Sequence, residues 1–196
     1  MANKKYTIIS YYNFIKIKNL FKFKNILNKF TNDLDIKGIM LIAPEGLNFS
    51  ISICSSQYNI FIKRLNTLFK ILYDDLKISY SHKHIFRKIK IKIKKEILTT
   101  RLQHQINIEK YVGEYISPIE WDNFIKRPDV VLIDTRNFYE TEIGSFAEAI
   151  NPKVKNFTEL LNWLKENMLT EKNKKKKIAM FCTGGIRCEK ATSYLK

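Results

Sequence analysis

Acidic residues are in short supply. The 196 residues hold 19 Asp and Glu against 35 Lys and Arg, a net charge of +16. Such an imbalance concentrates polyanions near the surface, nucleic acid first and a membrane surface second. Glycine and alanine are also scarce, whereas Lys, Asn, Ile, Tyr and Phe recur throughout. That bias fits an AT-rich genome, which supplies lysine whatever the function, so the charge speaks for RNA binding only where it is localised. There are three cysteines, Cys54, Cys182 and Cys188. An odd, low count excludes a disulfide scaffold and leaves reduced thiols for chemistry. No run approaches the ~20 apolar residues of a membrane helix. Met1 to Ile9 has no apolar core or cleavage site of a secretory leader. A cytoplasmic protein with no membrane partner is therefore expected. No internal repeat is visible, and the lysine run Lys174 to Lys177 reads as a solvated loop. An apolar fraction of 45% allows a packed core, and the length suits one large domain or two small ones.

The first half alternates strands and helices. Tyr6 to Phe14 has strand composition. Leu20, Phe23, Leu27 and Phe30 recur at helical spacing. Ile36 to Ala43 and Leu47 to Ile53 flank Pro44-Glu45-Gly46 and predict a hairpin. Tyr58, Phe61, Ile62, Leu65, Leu68, Phe69 and Leu72 predict a second amphipathic helix. Leu76 to Tyr80 and Phe86 to Ile97 return to strand character. The order β-α-β-β-α-β is that of a split βαβ, or ferredoxin-like, α+β domain over residues 1–98. Residues 99–113 read as a linker. In the remainder, Ser117-Pro118-Ile119-Glu120 is a helix-start signal. Val130 to Asp134 predicts a buried strand, and Phe157, Leu160, Leu161 and Leu164 one face of a helix. Ile178 to Phe181 predicts a strand, and Ile186 to Leu195 a helix. Strands alternating with helices imply an α/β domain with a parallel sheet over residues 114–196.

Cys182 stands directly after a strand and before a helix, in Cys182-Thr183-Gly184-Gly185-Ile186-Arg187. Sites in open α/β sheets form beyond the carboxyl ends of strands. Gly184 and Gly185 let the backbone wrap the sulfur and turn N–H groups inward. The following helix adds its positive end, and Arg187 a permanent charge. All of these favour the thiolate, which is the nucleophile. A buried, inert cysteine at a strand end is the other reading.

The loop resembles the active-site loop of the rhodanese superfamily. Asp134-Thr135-Arg136, Tyr139-Glu140, Ile143-Gly144, Phe146 and Ala149 resemble an upstream pattern of that superfamily, with Ser145 where the pattern usually has His. The longer run Met180-Phe-Cys-Thr-Gly-Gly-Ile-Arg-Cys-Glu-Lys-Ala191 is similar to the loop of rhodanese-domain enzymes that hydroxylate the wobble uridine of tRNA. Ala43 to Asn48 and Val112 to Tyr115 agree with the same family in the same order. The resemblance implies an acylphosphatase-like first domain and a rhodanese-like second one. It implies oxygen-dependent conversion of uridine 34 to 5-hydroxyuridine, an oxidoreductase reaction on the anticodon region of tRNA. Molecular oxygen and a reductant of unknown kind would be needed, and the residues themselves identify no cofactor, neither flavin motif nor iron triad. Cys182 would be the catalytic thiol, within the loop Thr183 to Arg187, with Asp134, Arg136 and Cys188 in support. Arg187 falls fifth after Cys182, where the phosphatases of this fold use a loop one residue longer. The short loop therefore favours sulfur chemistry over phosphate. Two further readings stay open: a sulfurtransferase carrying a cysteine persulfide on Cys182, and a non-catalytic tRNA-binding module.

Cys188 could resolve an oxidised Cys182 as a disulfide, or simply pack against the sheet. Cys54 reads as structural. His82 and His84 would share a strand face, but no third or fourth ligand is evident, so no metal is expected. Lys88, Lys90, Lys92 and Lys94 alternate with Ile89, Ile91 and Ile93, which puts a row of cations on one face about 6.6 Å apart. The row could track a phosphate backbone, with Tyr11, Tyr12 and Phe14 as stacking surfaces. It could equally protect an edge strand from aggregation. The resemblance also implies further structure and a Cys-rich region after the last helix, so the second domain is expected to be incomplete and only marginally stable alone. The sequence carries no signal of oligomeric state.

Overall fold

The computed structural model describes residues 5–69, 71, 75–104, 106–173 and 175–196. The chain divides into two compact units, Met1–Ile97 and Leu98–Lys196. Leu72 and Lys174 lie outside the described residues, as do the first four residues.

The first unit runs β1 (Tyr6–Asn13), α1 (Leu20–Asn32), β2 (Ile36–Ala43), β3 (Gly46–Cys54), α2 (Tyr58–Asn66), β4 (Lys77–Ser81) and β5 (Ile89–Ile93). The five strands form one sheet in the order β4-β1-β3-β2-β5. β1 is antiparallel to β3 and to β4, β2 pairs with β3 as the expected hairpin, and β5 lies parallel to β2. The sheet forms because each strand alternates. Ile9 and Tyr11 of β1, Met40 and Ile42 of β2, and Phe49, Ile51 and Ile53 of β3 point to one side. There they meet Leu27 of α1 and Phe61, Ile62 and Leu65 of α2 in a single core. The β2–β3 turn is tight enough to demand glycine. Gly46 has φ 151, and a Cβ there would lie 2.0 Å from the Asn13 carbonyl oxygen.

Three expectations change. Phe86 to Ile97 is strand only over Ile89–Ile93, and it is a fifth strand on the edge beyond β2. α2 stops at Asn66, whose side-chain oxygen accepts the Ile71 N–H and closes a turn that cannot continue as helix. Tyr11 is 3% exposed, packed between Phe49 and Phe69, and so offers no stacking surface.

The second unit runs α3 (Ile108–Tyr111), α4 (Pro118–Ile125), β6 (Val130–Asp134), α5 (Phe138–Thr141), α6 (Phe157–Asn167), β7 (Lys177–Phe181) and α7 (Ile186–Leu195). Ser117 caps α4, with its Oγ accepting the Glu120 N–H, and Asn156 caps α6 in the same way. β6 and β7 are parallel, and Ile133 is bridged to Ile150 on the other side of β6. Phe157, Leu160, Leu161 and Leu164 pack with Ile133 and Ala191 in this unit's core. Among the described residues the regular sheet has two strands. Residues 99–113 are not a free linker. Leu98 and Ile106 pack on this core, Thr100 is buried, and the Gly113 N–H donates to Thr192 Oγ1 at 3.0 Å. Their polar composition hides contacts made through backbone groups. No helix among the described residues is long and apolar enough to cross a membrane.

Candidate active site

Cys182 follows β7 at once, and α7 begins four residues later. The parallel strand therefore delivers the sulfur to the sheet's carboxyl end, where the helix amino terminus points its N–H groups. Gly185, the residue before α7, has φ 96, a value that L side chains rarely adopt. This conformation aims the Gly185 N–H at Cys182 Sγ, 3.0 Å away. Gly184 does not need to be glycine for its backbone angle, and a Cβ there would meet nothing within 4 Å.

The Cys182 thiol is held down to about 5. The largest cause is the Cys188 thiol, which donates to it. Burial opposes ionisation, and the N–H groups of Cys188, Gly184 and Gly185 add to the lowering. One turn of helix places position 188 back beside the loop, which is why two cysteines six residues apart meet. Cys188 is pushed well up in turn, by its bond to Cys182 and by burial. Its sulfur also lies 3.6 Å from Thr135 Oγ1. Cys188 thus keeps its proton and shares it with Cys182.

Arg187 keeps the favourable charge interaction with Cys182 that the sequence leads one to expect, and it has a second partner. Its guanidinium forks onto Glu140, with Nη1 donating to Oε2 at 2.6 Å and Nη2 to Oε1 at 2.8 Å. Thr183 Oγ1 donates to the same carboxylate at 2.6 Å. Glu140 also accepts the Asn137 N–H within the capping box of α5. Its carboxyl is lowered to about 2, chiefly by Arg187, with Thr183 and the Asn137 N–H adding to that against the cost of burial. Glu140 therefore offsets part of the arginine charge beside Cys182, and the pair clamps the loop onto α5. Sequence reasoning noticed Glu140 only as part of a resemblance. The signal that could have found its role is Asn137-x-x-Glu140, a capping pattern that fixes the carboxylate at one place.

Asp134 ends β6 fully buried. Burial tends to raise its carboxyl, but the Arg136 side chain, Ser145 Oγ and the Arg136 N–H together hold it below the ordinary carboxylate range. Arg136 Nη2 donates to Asp134 Oδ2 at 2.7 Å and to the Gly144 carbonyl at 2.6 Å. Ser145 donates to Asp134 Oδ2 at 2.7 Å. Ser145, where the resembled pattern has His, so takes a structural hydrogen bond. Asp134 and Arg136 touch neither cysteine in these contacts and act as a staple beneath the loop.

A cleft of about 1000 Å³ opens beside the sulfur. Its lining includes Cys182, Gly185 and Cys188, the run 176–181, and the aromatic side chains Trp121 and Phe146. Phe146 and Phe181 pack edge to face at 4.8 Å, and Trp121 lies 5.9 Å from Phe146. Tyr115, also in the wall, donates its hydroxyl to Glu189. Trp121, on α4, carried no sequence signal as a site residue, and Phe146 entered only as part of a resemblance, because aromatics of a core and of a binding wall read alike.

The other sequence candidates lie apart. His84 Nδ1 meets Ser52 Oγ at 2.7 Å and Nε2 meets Asp35 at 2.9 Å, which ties the β4–β5 loop to β3. Among the described residues no group of three or more His, Cys, Asp or Glu is placed to hold a metal ion. Cys54 ends β3, its sulfur 3.2 Å from Ser56 Oγ. Lys88, Lys90, Lys92 and Lys94 are exposed on or beside β5 in the first unit.

The model of the UPF0176 acylphosphatase like domain matches residues 6–97. A protein named tRNA uridine(34) hydroxylase from Prochlorococcus marinus (strain NATL2A) is 45% identical over 197 residues, covering 97% of this chain and 61% of that protein. Its namesake in Rickettsia typhi (strain ATCC VR-144 / Wilmington) is 42% identical over 197 residues, covering 99% of this chain and 77% of the relative. In Rickettsia rickettsii (strain Sheila Smith) the figures are 43%, 99% and 77%. The chain spans about three-fifths of the length of the Prochlorococcus relatives and about three-quarters of the Rickettsia ones. At this identity over nearly all of its length, the chain belongs to the tRNA uridine(34) hydroxylase family.

Proposed function

We propose that this protein is a tRNA-modifying oxidoreductase that places a hydroxyl group on carbon 5 of the uridine at position 34, in the anticodon, with Cys182 as its working thiol. One observation carries the reading. At neutral pH the Cys182 sulfur, held to about 5, is a thiolate at the end of a cleft large enough for a nucleoside. Cysteines held ionised in this way are the reactive ones. The parallel β6–β7 pair, the short loop from Cys182 to Arg187 and the helix behind it support a rhodanese-like second domain. The aromatic wall of Trp121, Phe146 and Phe181 suits the flat face of a base turned out of its stack. The reaction balances with molecular oxygen and a two-electron reductant: one oxygen atom enters the C5–H bond, and the other leaves as water with two electrons and two protons. Within the chain, Cys182 supplies the nucleophilic sulfur, Cys188 shares a proton with it, and the Glu140–Arg187 clamp fixes the loop. tRNA as substrate places the work in the cytoplasm.

The test is nucleoside mass spectrometry of tRNA from cells carrying the wild-type gene, the Cys182→Ser variant or no gene. The expected result is 5-hydroxyuridine at position 34 with the wild type alone. Loss of a thiolated base in its place would make Cys182 a persulfide carrier and the protein a sulfurtransferase. Identical nucleosides in all three would leave a tRNA-binding module and end the enzymatic reading.

A further inference from the structure

The five-stranded sheet has two sides, and only one is explained by the core. Residues directly opposite on neighbouring strands share a face. Ile89, Ile91 and Ile93 of β5 pair with Gly38, Met40 and Ile42 and pack toward the helices. Lys90 and Lys92 must then point to the other side, opposite Ile39 and Leu41. Following the register across gives one row, Lys77, Ser10, Ser50, Ile39 and Lys90, and a second, Tyr12, Asn48, Leu41 and Lys92. Ser10 and Ser50 share a hydrogen bond of 2.7 Å in the middle of the first row. Lys37, opposite Ser52, belongs to the same face. Lys88 continues the β5 alternation beside it.

Protection of an edge strand does not account for this pattern. β5 and β4 are edges, but Lys37 stands on β2, inside the sheet. Lysines crowded on one face repel one another and cost stability. Among the described residues none of Lys37, Lys77, Lys88, Lys90, Lys92 and Lys94 is in an ion pair. The charge is thus localised and uncompensated, on a face that also presents Tyr12 and hydroxyl groups.

We propose that this helix-free face of the first unit is a docking surface for the sugar–phosphate backbone of RNA. Lys37, Lys88, Lys90, Lys92 and Lys94 take the phosphates, and Tyr12 takes a base. The occupant is an RNA rather than a lipid surface because the apolar residues of this face, Ile39 and Leu41, are half-buried between the strands, whereas serine hydroxyls and a tyrosine ring suit sugars and bases. The inference rests on the proposed reading that the substrate is tRNA, and it assigns that substrate's backbone to a surface in the other unit from Cys182.

Binding of fluorescent tRNA to the whole chain carrying Cys182→Ser, read by anisotropy across salt concentrations, separates this inference from the chemistry. The Lys37→Gln, Lys90→Gln, Lys92→Gln triple variant is expected to flatten the slope of log affinity against log salt by about 2–3 and weaken binding roughly tenfold or more near physiological salt. The same three changed to Arg keep the wild-type slope. A control triple, Lys22→Gln, Lys29→Gln, Lys63→Gln, removes equal charge from the helices on the opposite side. An equal loss in that control would reduce the effect to net charge and overturn the proposal. So would an unchanged slope in the sheet triple, or competition by anionic phosphatidylserine vesicles as effective as that by unlabelled tRNA. Each of these outcomes is independent of whether 5-hydroxyuridine is made.

Discussion

Replacing Cys188 with alanine removes the largest single influence on the Cys182 thiol, and its consequence can be worked out from the site. The Cys188 S–H donates to Cys182, which three N–H groups and the start of α7 also serve. A hydrogen bond to a charged group is worth about 1.5–3 kcal/mol, and a shift of one pKa unit is about 1.4 kcal/mol. Cys188→Ala should therefore move the titration of Cys182 from about 5 upward by roughly 1–2 units. Near pH 6 the thiolate fraction would fall from about nine-tenths to between about a half and a tenth. The rate of alkylation would fall less, because a thiolate of higher pKa is intrinsically more nucleophilic. The assay is thus the pH profile of iodoacetamide labelling at Cys182, located by peptide mass spectrometry, with the midpoint as the readout. Cys188→Ser keeps a donor in place and should retain most of the depression. A wild-type midpoint in the ordinary thiol range, or an alanine variant with an unmoved midpoint, would refute the shared-proton account.

Glu140→Gln should loosen the loop, since it strips Arg187 of its carboxylate while both side chains stay mostly covered. A loss of about 2–4 kcal/mol in urea unfolding is expected, with labelling of Cys182 less selective. The same carboxylate gives an acid limb. Its folded value of about 2 lies below the ordinary 4.5, so its contribution is complete above the ordinary value and disappears as pH falls toward 2. After allowance for screening it is about 1–2 kcal/mol, to be seen as a falling urea midpoint that Glu140→Gln flattens. Equilibrium unfolding of the whole chain should show the second unit opening first, because among the described residues its sheet has two strands against five and an apolar cleft flanks one of them. Hydrogen exchange that leaves β7 as protected as β3 would contradict this.

Regular elements were legible wherever one periodicity ruled. Ile36 to Ala43, Val130 to Asp134 and Ile186 to Leu195 were each read to the residue. The first alternates buried and half-buried positions, and the second is a short apolar run that ends buried. β5 was read too long, as Phe86 to Ile97, because its isoleucines specify a face but not where pairing with β2 stops. The active loop was legible as a cysteine between strand and helix. Its electrostatics were legible only in part, since the arginine five residues on does act on the sulfur but is also held by Glu140, 47 residues away in sequence. Ser145 and Asp134 show the same limit, for a side-chain bond across 11 residues leaves no period to detect.

One lysine bears on how this protein can be divided. Lys190, on α7, is completely enclosed, and its Nζ donates to the Leu98 carbonyl at 2.7 Å. The last helix is thereby buttoned to the first residue of its own unit. A fragment begun at residue 114 would cut away that fastening. One begun at residue 98 would carry the fastening with it.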